Sequence, residues 1–187
     1  MAGLRKPEEG SCARIILGID PGLAAVGFGV IGTEGGRIVH IGHGCIRTSA
    51  ENGSGQRLHF IYHAILELIQ SYRPDSGGIE DLYFFRNVSS ALPVAEARGV
   101  IKLAFQEAGV PLAEFSPNEI KKSVTGTARA DKALVQEMVR MLLGLDTVPK
   151  PDHAADALAA AICRIHSEGP AGIVSPASPV ARPDGTP

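Results

Sequence analysis

The chain has no tryptophan, 5% aromatic residues and three cysteines in 187 residues. Cys12, Cys45 and Cys163 lie far apart and form no CxxC pair, which argues against structural zinc and against a disulfide framework. Reduced thiols in a cytoplasmic protein are the expectation. No apolar run approaches the ~18–20 residues that cross a bilayer, so no membrane partner is expected. Arg5 and Lys6 precede an apolar run that is short and broken by Gly18 and Asp20, unlike a signal peptide. Neither sign of charge dominates: the net charge is −2, so any contact with nucleic acid must come from a local patch.

What is present is a globular composition, 44% hydrophobic and 20% charged, at a length that suits one domain with its own core. Residues 1–13 read as a flexible extension. Residues 14–167 read as the folded domain. Residues 168–187, rich in Pro, Gly, Ala and Ser, read as a disordered tail.

Arg14-Ile-Ile-Leu-Gly-Ile-Asp20 is an apolar run ending in a carboxylate, with Pro21-Gly22 as a turn into the strand-like Gly27-Phe-Gly-Val-Ile31. With a further turn at Glu34-Gly-Gly36, residues 14–48 read as three strands. Leu58, Ile61, Tyr62, Ile65, Leu68 and Ile69 share one face of a helix over 55–72, ended by Arg73-Pro74. Gly77-Gly-Ile-Glu80 is a short strand ending in a second acid. A helix over 88–108 closes at Gly109, with Pro93 in its first turn or bending it. Val110–Phe115 is a strand, and Ser116-Pro117-Asn118-Glu119 is a capping box with Pro at N1. Helices follow over 130–143 and from Asp152, read as an acidic cap, to about His166. The order β-β-β-α-β-α-β-α-α-α predicts an α/β fold: a ribonuclease H-like, mixed five-stranded sheet flanked by helices.

Alone, Asp20 fits a turn cap as well as a functional acid. A carboxylate on a buried strand is costly to desolvate without a partner or a cation. Glu80 ends another strand, and His153 and Asp156 are three apart on the last helix and share a face. Ala154, Ala155 and Ala157 keep that helix slim enough to approach a sheet. Three carboxylates brought together repel unless a cation sits among them. Oxygen ligands with one imidazole suit Mg²⁺ or Mn²⁺, and two such ions roughly 4 Å apart can support phosphodiester cleavage. Taken singly, Asp152 fits a helix cap and His153 a surface residue better than ligands.

The motifs Ile16-Leu-Gly-Ile-Asp20-Pro-Gly22, Gly27–Ile31, Gly44-Cys-Ile-Arg-Thr48, Ile79-Glu80, Glu96-Ala-Arg-Gly-Val100 and Ala154-Ala-Asp156-Ala-Leu-Ala-Ala160 occur in the order found in the RuvC family of Holliday-junction endonucleases, which the chain resembles over about 14–167. The resemblance implies metal-binding catalytic roles for Asp20, Glu80 and Asp156, with two Mg²⁺ per subunit. The fourth family position falls on His153, where many members have Asp and some His. One fewer negative charge is expected to favour Mn²⁺ relative to Mg²⁺. The resemblance also implies symmetric cleavage of four-way junction DNA in recombination and repair, leaving 5′-phosphate and 3′-hydroxyl ends, alongside the RuvA and RuvB branch-migration proteins.

Lys121, Lys122, Arg129 and Lys132 surround the small-residue stretch Thr125-Gly-Thr127, a pattern that suits phosphate contacts and equally a solvated loop. Lys121 and Lys132 match family lysines linked to DNA binding and catalysis. Tyr83-Phe-Phe-Arg86 follows the second acid and suits base stacking, with core packing as the alternative. Tyr83 matches a family aromatic that acts at the junction centre. Two symmetric cuts call for a C2 homodimer. Family analogy places its interface on the helix over 88–108, although that helix shows no hydrophobic seam.

Two other classes compete. An actin/Hsp70-type ATPase also places Asp and Gly after its first strand, but it needs a second lobe that 187 residues cannot supply. A non-catalytic junction-binding module has no use for the retained Asp20, Glu80 and Asp156.

Overall fold

A computed structural model describes residues 14–81 and 88–168 of the chain. The extension over 1–13, most of the tail, Tyr83 and Arg86 lie outside the described residues. Three strands come first: β1 (Arg14–Asp20), β2 (Ala25–Glu34) and β3 (Arg37–Arg47). Then follow α1 (Ser54–Tyr72), β4 (Ser76–Glu80), α2 (Val88–Glu107), β5 (Leu112–Phe115), α3 (Pro117–Thr125), α4 (Lys132–Leu142) and α5 (Asp152–Ser167).

The sheet order is β3-β2-β1-β4-β5, with β1 at the centre. The meander β1-β2-β3 is antiparallel, whereas β4 and β5 join parallel to β1. This is the mixed ribonuclease H-like sheet that the element order implies. The β2–β3 hairpin turns on Gly35 and Gly36, at φ 56° and 79°, the left-handed pair that a two-residue turn requires.

Both faces of the sheet are covered, which is why β1 is an almost continuous apolar run. Along β1 the side chains alternate. Ile16 packs with α3, α4 and α5, while Leu17 and Ile19 pack with α1 and α2. Gly18 faces α5: a Cβ there would stand 2.0 Å from the Ala157 carbonyl oxygen. The same parity carries Asp20 to the α5 face. In β4, Ile79 packs with α1 and α2 while Gly78 meets α5 at Ala160, so Glu80 also falls on the α5 side.

The slim face of α5 makes this approach possible. Ala154, Ala155, Ala157, Ala159, Ala160 and Ala161 are all buried. At its far end α5 is anchored by Glu168, which pairs with Arg14 and accepts from Arg164 at 2.7 Å and from Ser76 at 3.2 Å. Composition assigned Glu168 to the tail. The two arginines draw it into the fold instead.

The capping box at Ser116 forms as expected, with Ser116 Oγ accepting from Glu119 N and Glu119 accepting from Ser116 N. The cap expected at Asp152 does not form. Pro151 is the cap residue, and Asp152 lies one position inside the helix. Its carboxylate turns outward to Lys150, at 2.9 Å, and to Lys132, at 3.6 Å. Pro93 is the sixth residue of α2, past the first turn.

Candidate active site

Strands β1 and β4 run parallel and adjacent, so their carboxyl ends deliver Asp20 and Glu80 to one edge of the sheet. The first turns of α5 cross that edge. Asp20 accepts a 2.7 Å hydrogen bond from His153 Nδ1, with the imidazole proton on that nitrogen. Nε2 is then left as the ring's basic nitrogen. Gly27, level with Asp20 across the β1–β2 pair, is what admits α5 here: a Cβ would lie 1.9 Å from the His153 carbonyl oxygen.

Glu80 and Asp156 line one recess with Lys121, Lys132, Pro117 and Ile120. Lys132 Nζ is 3.0 Å from Asp156 Oδ2. The electrostatics are those of crowded acids with too few cations. Glu80 is pushed up to about 7, first by burial and then by the charges of Asp20 and Asp156, with Lys121 and Lys132 acting in the opposite direction. Asp20 is also raised, chiefly by burial, despite the His153 hydrogen bond.

These donors suit a hard divalent cation in kind: three carboxylates and an imidazole. Among the described residues, however, no three such side chains already stand together as a ligand set. Lys132 and His153 occupy the carboxylates that a metal would engage. The donors therefore fit a divalent ion by their chemistry, and loading would displace Lys132 from Asp156 while Asp20, bonded to His153 through Oδ2, keeps Oδ1 for a ligand bond.

The predicted basic cluster divides. Lys121 and Lys132 stand in the acidic recess. Lys122 lies on another face of α3, in a groove with Phe115, Cys163 and His166. Arg129 is exposed in the α3–α4 connection, where its backbone N–H donates to Thr127 Oγ1. Asp81, next to Glu80, points to the other side and pairs with Arg98 at 2.8 Å, as strand alternation requires. Sequence reasoning missed the seats for α5 at Gly18 and Gly27. Their signal was glycine recurring within otherwise β-branched strands.

Comparison with known proteins gives the same identification. Residues 16–164 match the family model described as crossover junction endodeoxyribonuclease RuvC. The protein of that name from Treponema denticola is 51% identical over 151 residues, covering 81% of this chain and 85% of its own. The one from Rubrobacter xylanophilus is 47% identical over 154 residues, covering 82% and 86%. A Thermus thermophilus RuvC structure superposes with a TM-score of 0.76 at 34% identity, covering 81% of this chain and 93% of that one. The same protein in complex with a Holliday junction substrate gives 0.74 at 32% identity, covering 81% and 92%. The yeast mitochondrial Holliday junction resolvase Ydc2, at 13% identity and a TM-score of 0.56, shares the fold. With its sheet order, its edge of acids and a family match over nearly the whole described region, the chain belongs to the RuvC family of crossover junction endodeoxyribonucleases, DNA-cutting hydrolases.

Proposed function

We propose that Asp20, Glu80, Asp156 and His153 form the catalytic, metal-holding centre of a Holliday junction resolvase in recombination and repair. The observation that carries this reading is the meeting of Asp20, Glu80 and Asp156 at one sheet edge, where burial and mutual repulsion hold Glu80 near 7. Such a site is poised to take up positive charge.

Bound Mg²⁺, or Mn²⁺, two per subunit, would supply an activated water and charge stabilisation for phosphodiester hydrolysis, leaving 5′-phosphate and 3′-hydroxyl ends. Asp20, on the central strand, is the most rigidly placed ligand. His153, whose Nδ1 faces Asp20, presents Nε2 as the nitrogen available to a metal. Lys121 and Lys132, beside the acids, hold the scissile phosphate and offset the charge that develops on it. Arg129 and Lys122 contact flanking backbone, Tyr83 acts at the junction centre, and Arg86 contacts DNA beside it.

Two symmetric cuts in a four-way junction require two such sites, and a homodimer supplies them. Leu92 and Leu103, 58% and 56% exposed on α2, with Gly99 open between them, support an interface on that helix. RuvA and RuvB are the partners, and the cytoplasm is the compartment. Among the described residues no helix is long and apolar enough to cross a membrane.

The test is cleavage of a synthetic mobile four-way junction by the wild type and by Asp20→Asn. The substitution is expected to abolish cutting in either metal while junction binding persists. Continued cleavage by the variant would remove Asp20 from the centre.

A further inference from the structure

The carboxyl edge of the sheet continues beyond the acids. On the side away from Lys121 and Lys132, β2 and then β3 follow β1. Cys45 is level with Asp20 across Gly27, and Arg47 lies two residues further along β3. Two strand spacings are ~10 Å and two residues ~7 Å, so Arg47 lies ~12 Å from Asp20, within the span of a few nucleotides of one DNA strand.

Arg47 opens a groove between the end of β3 and α1. Four of its lining side chains are basic: Arg47, Arg57, His59 and His63. Phe60, 53% exposed, stands among them, and among the described residues no carboxylate lines the groove. Glu51, the acid nearest in sequence, is not part of the lining. His59 and His63, one turn apart on α1, share a hydrogen bond at 3.0 Å, so at least one imidazole N–H remains free to donate outward.

The groove is tied to the catalytic edge through the backbone. Arg57 Nε donates to Thr48 Oγ1 at 2.8 Å, and Thr48 Oγ1 donates to the Leu23 carbonyl at 2.6 Å. Thr48 N donates to the Ala24 carbonyl at 3.1 Å. Residues 21–24 are the loop that directly follows Asp20.

Two guanidinium groups, an imidazole N–H and an exposed aromatic, without an acid among them, suit a polyanion that carries planar bases. We propose that this groove seats the DNA strand leaving the carboxylate site on the β3 side, holding its phosphodiester backbone through Arg47, Arg57, His59 and His63 and a base or sugar face against Phe60. This rests on the nuclease reading of that site. Lys121 and Lys132 then grip one side of the scissile phosphate and the groove grips the other, so the strand is held across the acids.

The test uses the full chain carrying Asp20→Asn, a fluorescent four-way junction and anisotropy titrations in EDTA at several salt concentrations. Adding Arg47→Ser, His59→Gln and His63→Gln together should weaken junction binding about tenfold and lower the salt slope by about one. Adding Phe60→Ser alone should weaken binding about fivefold or more with the slope unchanged. Arg37→Ser, at the opposite end of β3, should change neither. All the substituted side chains except Asp20 are exposed, and thermal melts check that each variant is folded. Parental affinity and slope in both the triple variant and Phe60→Ser would overturn the groove while leaving the catalytic reading intact. An equal loss in Arg37→Ser would reduce the effect to general charge and overturn it too. Failure of the Asp20→Asn parent to prefer the junction over linear duplex would overturn the functional reading itself, and the groove with it.

Discussion

Replacing Glu80 with Gln removes a carboxylate whose charged form the fold resists. In the native state its proton is held until about pH 7, against an ordinary value of 4.5, because burial and the charges of Asp20 and Asp156 oppose ionisation. A raised native pKa favours the folded state at low pH. That contribution is fully present below about pH 4.5 and is lost as the pH rises through 7. At about 1.36 kcal/mol per pH unit the difference is somewhat above ~3 kcal/mol. Glu80 is only part-buried, and solvent screening brings the figure to ~1–2 kcal/mol. Metal-free protein should therefore lose that much stability between pH 5 and pH 8. Glu80→Gln, similar in shape and uncharged, should abolish most of the loss. In melts with EDTA at pH 8 the variant should be the more stable by ~2–8 °C, and at pH 5 the two should coincide. Mg²⁺ or Mn²⁺ should restore the wild type at pH 8 and help the variant much less. A variant no more stable than wild type at pH 8, or a gain equal at both pH values, would show that the acids do not repel one another as described.

Other substitutions probe the same edge. His153→Asp restores a fourth negative charge and should shift cleavage towards Mg²⁺ relative to Mn²⁺; an unchanged ratio of rates in the two metals would refute the charge argument. Lys132→Met removes the ammonium from Asp156 and, on the proposed mechanism, from the phosphate, and should slow single-turnover cleavage by about 10²–10³-fold with a smaller loss of junction affinity. Gly18→Ala drives a methyl into the Ala157 carbonyl, so α5 must move; a loss of about 3 kcal/mol or more is expected in urea denaturation. A Gly18→Ala protein as stable as the parent would mean that α5 does not lie against β1 as closely as described.

Much of the fold was legible because its signals are local. The apolar face of α1 buries Ile61, Ile65 and Ile69 as the spacing requires. The Ser116 box and the Gly-Gly hairpin carry their own geometry. The Asp152 cap failed for a tertiary reason: two lysines, one of them on α4, draw its carboxylate off the helix end. Closeness in sequence does not fix the face of a helix: Lys121, one residue earlier on α3, lines the recess of the acids, while Lys122 lines a groove with Cys163.

The acids themselves were legible as endpoints: a strand run stopping at Asp20, another at Glu80, and a helix face with His153 and Asp156. What local pattern could not supply was the parity that sends Asp20 and Glu80 to the same side. That parity is set by the glycines two residues before each acid, Gly18 and Gly78, which face α5 and leave room for its backbone. Each glycine thus marks, two positions ahead, the side of the sheet to which its strand end turns the acid. The acids then need partners, and the fold supplies them from opposite sides, the Lys132 ammonium against Asp156 and a His153 N–H against Asp20. A histidine at that position thus has two uses: it steadies the central acid in the metal-free state and keeps one nitrogen free for a ligand. An aspartate there could offer ligand oxygens but could not donate to Asp20, and would add its own repulsion to a site where Glu80 already holds its proton to about pH 7.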